Sequence, residues 1–70
     1  MRWECRYSSS EMLYLEVGAN EVRCYLDHSP GKPELWTFAE VLAGERDAEV
    51  RNLFGEAALE ELKAAVRLRA

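Results

Sequence analysis

The chain reads as an α+β domain, a three-stranded antiparallel β-meander at the N-terminus packed on two or three C-terminal helices. Three observations predict it: two-residue alternation of apolar and polar side chains through the first 28 positions, a single Pro/Gly cluster at positions 28–33, and helix-spaced apolar residues beyond it. Seventy residues supply material for one hydrophobic core, so positions 1–70 form one domain. The hydrophobic fraction of 49% is that of a globular protein and excludes a disordered chain.

In the first alternating run Trp3, Cys5 and Tyr7 share the inward face, and Arg2, Glu4 and Arg6 the other. Ser8-Ser9-Ser10 reads as a turn, because short hydroxyl side chains compete with regular backbone pairing. The second run points Leu13, Leu15 and Val17 inward and Met12, Tyr14 and Glu16 outward. After a turn at Gly18-Ala19-Asn20-Glu21, the third points Val22, Cys24 and Leu26 inward, with Arg23, Tyr25 and Asp27 outward.

A one-residue slip would flip every side chain of a strand, so parity selects the register. Setting Val17 opposite Val22 places Leu15 against Cys24 and Leu13 against Leu26, and puts Glu16 against Arg23 and Tyr14 against Tyr25 on the outer face. The first hairpin keeps two solutions. A three-residue loop pairs Tyr7 with Glu11 and Cys5 with Leu13; a five-residue loop pairs Tyr7 with Leu13 and Cys5 with Leu15. A four-residue loop sets inward residues against outward ones and is rejected.

His28-Ser29-Pro30-Gly31-Lys32-Pro33 marks the passage from sheet to helices. Pro33 suits a first helical position, and Leu35, Phe38, Ala39 and Leu42 follow at i, i+3, i+4 and i+7, with Gly44 closing the helix. Leu35-Trp36-Thr37-Phe38 is also rich in strand formers, which leaves a fourth strand as the competing assignment. Asp47 then caps a helix carrying Val50, Leu53 and Phe54. Glu56 opens a last one carrying Ala58, Leu59, Leu62, Ala65 and Val66, acidic at its start and basic at its end. Gly55 either interrupts one long helix or separates two.

Thirteen acidic residues against nine basic ones give a net charge of −4, which disfavours binding to a phosphate backbone. Only Lys63, Arg67 and Arg69 cluster, at a helix C-terminus where cations complement the dipole. No apolar run reaches the roughly 18 residues of a membrane span, and the charged Met1–Arg6 segment does not resemble a signal peptide. A cytoplasmic protein with no membrane partner is the expectation.

Cys5 and Cys24 match neither a CxxC redox pair nor a four-ligand zinc set; on the inward face they read as core thiols, separated by the intervening second strand. His28 lies at a strand end with no evident orienting carboxylate, and the glutamates of the helices read as a solvated face. No nucleotide, hydrolase or metalloprotease signature is present. No catalytic, cofactor-binding or metal-ligating residue is assigned, and no cofactor is expected.

The outward sheet face carries the functional expectation. Tyr14 and Tyr25 lie side by side there with Arg23 and Glu16 beside them, and tyrosine and arginine are the residue types enriched at binding hot spots. Trp36, one position off the Leu35/Phe38/Leu42 stripe, either widens the core or anchors a partner. The expected function is a small cytoplasmic protein-interaction or regulatory module that acts by binding a protein partner, with itself as one candidate, in a homodimer. The alternatives are a small enzyme or enzyme subunit whose site a partner or second copy completes, and an acidic inhibitor or antidote-type protein that meets a basic partner.

Overall fold

The structure is a computed structural model that describes residues 1–70. Strands β1 (Arg2–Ser8), β2 (Glu11–Val17), β3 (Glu21–Leu26) and β4 (Glu34–Thr37) precede helices α1 (Phe38–Leu42), α2 (Asp47–Phe54) and α3 (Glu56–Arg69). All neighbouring strands are antiparallel and their spatial order is β1-β2-β3-β4. The α+β class is as expected; the sheet has four strands rather than three.

The β2–β3 register is the one parity selects, from Val17 opposite Val22 to Leu13 opposite Leu26. In the first hairpin Cys5 faces Leu13 and Trp3 faces Leu15, the pairing of the shorter-loop solution. A register shift between Arg6 and Ser8 sets Ser8, not Tyr7, against Glu11 and leaves Ser9-Ser10 as the turn. Tyr7, left without a partner at the shift, is 56% exposed and borders the groove that Leu13, Cys24 and Leu26 line.

The fourth strand comes from the segment assigned to the start of a helix. Two successive turns, closed by Ser29 N–H to Leu26 C=O and Lys32 N–H to Ser29 C=O, reverse the chain and lay Glu34–Thr37 beside β3. Strand parity then governs Leu35 and Trp36. Leu35 faces outward at 57% exposure, whereas Trp36 lies opposite Val22 and is 2% exposed. The helix begins one residue after the strand ends. Thr37 Oγ1 accepts from the Glu40 N–H at 3.1 Å while the Glu40 carboxylate accepts from the Thr37 N–H at 2.9 Å, a reciprocal cap. With the helix starting at Phe38, Val41 is the residue it buries, and Leu42 is 36% exposed.

Gly44, at φ 87°, follows the Ala43 C-cap. The N-cap of α2 is Arg46, with Asp47 as the first helical residue. Gly55, at φ 98° and ψ 165°, separates α2 from α3, so there are two helices and not one interrupted helix. The helices lie on one side of the sheet: α2 packs against β1, α3 against β2 and α1 against β4. Between them and the sheet is a core of Leu15, Val17, Val22, Trp36, Val41, Val50, Leu59, Leu62 and Val66. Polar contacts close its seams. The Trp3 indole N–H donates to Glu61 at 2.8 Å, and Lys63 donates to Asp47 at 2.9 Å. The Arg46 guanidinium stacks 4.8 Å over the Trp36 ring and pairs with Glu49 at 2.8 Å, with Glu34 3.5 Å away.

Candidate protein-interaction face

With all helices on one side, the other face of a four-stranded sheet is left without a covering element. Alternation decides which side chains stand on it: Arg2, Glu4 and Arg6 from β1, Met12, Tyr14 and Glu16 from β2, Arg23 and Tyr25 from β3, and Leu35 from β4. At its centre the Tyr14 and Tyr25 rings meet at 5.4 Å between centroids with a 37° tilt, a favourable aromatic pairing. The Arg2 guanidinium lies 4.6 Å over the Tyr14 ring. Interaction with the Tyr25 side chain, opposed by desolvation, raises Arg2 above its ordinary pKa.

Beside this stack Arg23 stands 4.0 Å from Glu16 and 3.7 Å from Glu21. The face is therefore an aromatic and guanidinium centre within a rim of both signs. Tyr14, Tyr25, Arg23 and Glu16 are brought together as the outward parity requires. Trp36 is not with them: of its two expected roles, the structure gives it the core one, on the opposite face of the sheet. Two participants were missed. Arg2 was placed on the outer face but not over Tyr14, because the first hairpin's register was open. Leu35 fits a helix stripe in sequence, but the competing strand assignment is the one realised, and alternation through Leu35-Trp36-Thr37 points it outward.

The inner face is incompletely covered at its other end. A groove of about 430 Å³ opens there, lined by Leu13, Cys24, Leu26 and Leu53, with Glu34 and Glu49 as its carboxylates. Burial, reinforced by the negative charges of Glu34 and Glu49, pushes the Cys24 thiol up to about 11. A thiol held protonated at neutral pH is a poor nucleophile and a poor metal ligand. Cys5 is also raised by burial, and both cysteines are free on strands flanking β2.

His28 does have carboxylate neighbours, contrary to its reading in sequence: Nδ1 lies 3.1 Å from Glu11 and 3.7 Å from Asp27. Ser8 Oγ donates to the other side of the same Glu11 carboxylate at 3.0 Å. The order is serine–carboxylate–imidazole, so the imidazole does not reach the hydroxyl proton as a general base must. The three groups tie the tip of the β1–β2 hairpin to the end of β3. No group of three or more His, Cys, Asp or Glu side chains stands close enough to hold a metal ion, and no helix is long and apolar enough to cross a membrane. No family model matches the chain, and neither curated proteins nor solved structures give a significant match to it.

Proposed function

We propose that the chain is a small cytoplasmic protein-interaction module whose uncovered sheet face is the binding surface. The observation that carries this reading is the Arg2–Tyr14–Tyr25 stack standing on a face that no helix packs against. Large side chains already held in one arrangement lose little conformational freedom on binding, which is why tyrosine and arginine serve as anchors. Leu35, 57% exposed beside Arg23, extends the apolar part of the patch. The partner that fits is a folded protein presenting apolar side chains at the centre of its surface and hydrogen-bond acceptors toward Arg2 and Arg23.

The mixed charge of this face supports a general protein partner over a strongly basic one, which separates this reading from the acidic-inhibitor alternative. The protonated Cys24 lends no support to an enzyme built on the groove. Capture from lysate with the immobilised chain and with its Tyr14→Ala/Tyr25→Ala variant tests the proposal. A protein retained by the wild type and lost with the variant supports it. Equal retention by both contradicts it, and so does tight binding of a labelled oligouridine that the variant loses, which would make the aromatic pair a base-stacking platform.

A further inference from the structure

We infer that two copies of the chain pair through β1, antiparallel and centred on Cys5, and so join their sheets into one. The argument begins with the edges, because an unpaired strand presents a row of backbone donors and acceptors. In the meander β1 and β4 are the two edges. β4 is only four residues long, and its Thr37 N–H is already engaged by the Glu40 carboxylate. β1 has seven residues, and every backbone bond it makes goes to β2.

The phase of the β1 edge follows from one bond. Val17 N–H donates to Met1 C=O at 3.2 Å, and in an antiparallel ladder alternate residues bond to the same side. Met1, Trp3 and Cys5 thus turn their backbone groups to β2, and Arg2, Glu4 and Arg6 turn theirs to the open side.

Self-complementarity selects the register. A two-fold axis normal to the sheet keeps both cores on one side only if outward residues meet outward residues. Centring on Glu4 sets that carboxylate against itself and Arg2 against Arg6. Centring on Arg6 sets two guanidinium groups together. Centring on Trp3 also sets opposite charges together, Arg2 against Glu4 of the second copy, but it uses only three strand residues of each copy and draws Arg2 off the Tyr14 ring; registers beyond Arg6 are centred within the Arg6–Ser8 irregularity itself. Centring on Cys5 pairs Glu4 with Arg6 of the second copy and Arg6 with Glu4, opposite charges in both cases. These are the residues whose backbone groups face the open edge, so they also exchange the hydrogen bonds of the new ladder.

Cys5 then faces Cys5 of the second copy as a non-hydrogen-bonded pair, with Cα atoms about 4.5 Å apart. That is within the range a disulfide spans. The assembly would carry both Tyr14/Tyr25 patches on one side and all helices on the other. The inference is independent of what those patches bind.

Sedimentation equilibrium at micromolar concentration is the primary test, with a mass of two chains expected; a mass of one chain overturns the inference. A charge-exchange series tests the register. Glu4→Arg alone and Arg6→Glu alone should each weaken the dimer on the order of tenfold, since each turns two attractive cross-strand pairs into repulsive ones. Glu4→Arg/Arg6→Glu together should restore it, which a merely misfolded variant would not do. A dimer indifferent to the single changes, or not regained in the double, overturns the register. In a Cys24→Ser background, glutathione disulfide should link the copies through Cys5: two thiols give two protons and two electrons to the oxidant, which leaves as two glutathione thiols. Failure to cross-link while the dimer persists also overturns the Cys5-centred pairing. Tyr14→Ala/Tyr25→Ala should leave the dimer mass unchanged.

Discussion

Cys24 illustrates how position sets the chemistry of a residue. Its thiol lines the groove beside α2, and desolvation first, then Glu34 and Glu49, move its titration from the ordinary 9.0 to about 11. The folded state therefore prefers the neutral thiol. That contribution to stability is fully present below about pH 9 and is lost as the pH climbs through about 11, because the unfolded chain releases this proton first. Urea denaturation between these limits should show the wild type losing more stability than Cys24→Ala; equal losses would contradict this environment for the thiol. Leu15 and Leu62 are both fully buried, so truncation of either to alanine should cost about 2–5 kcal/mol. Glu60 is exposed, and Glu60→Ala should change stability by no more than about 0.5 kcal/mol in the same assay.

Among the elements, the α2–α3 junction makes the sharpest demand on sequence. Gly55 combines φ 98° with ψ 165°, a conformation essentially reserved for glycine, and a methyl group placed there would meet nothing within 4 Å. Gly55→Ala should therefore cost about 1–3 kcal/mol through backbone strain alone, read as a lowered denaturation midpoint with an unchanged slope. The β2–β3 pairing was legible in the sequence because both faces alternate without interruption, so one register satisfies the core and the outer pairs at once. The β4–α1 junction was not. Leu35, Phe38 and Leu42 fit a helix stripe as well as Leu35-Trp36-Thr37 fits a strand, and short apolar runs carry both periods. The deciding signal was the Thr37-x-x-Glu40 pattern, which starts the helix after Thr37 and leaves the preceding residues to the sheet. The first hairpin shows a different limit: parity restricted its loop, but the irregularity at Tyr7 has no marker in the Tyr7–Ser10 segment. At the candidate face, Tyr14, Tyr25, Arg23 and Glu16 were legible for the same reason as the register. Trp36 fits either the core or an anchor in sequence, and strand parity, which sets it opposite Val22, gives it the core role.

At the scale of the whole molecule, the sheet is assembled from chain neighbours and the helices follow it in order, so the last helix must return to cover the first strands. Two seams hold that closure. Trp3 joins β1 to α3 through Glu61, and Trp36 lies under Arg46 at the corner where β4 meets α2. Each indole is in an environment that exists only while its own helix is docked. The two tryptophans thus form a built-in optical record of cooperativity. Trp3→Phe leaves only Trp36 emitting, and Trp36→Phe leaves only Trp3. In a domain this small, the two emission changes should fall on one denaturant curve after each is scaled to its own variant's stability and should coincide with the loss of far-ultraviolet dichroism. If the Trp3 signal departs first, α3 detaches from an otherwise intact sheet, and unfolding has a step that neither seam alone would disclose.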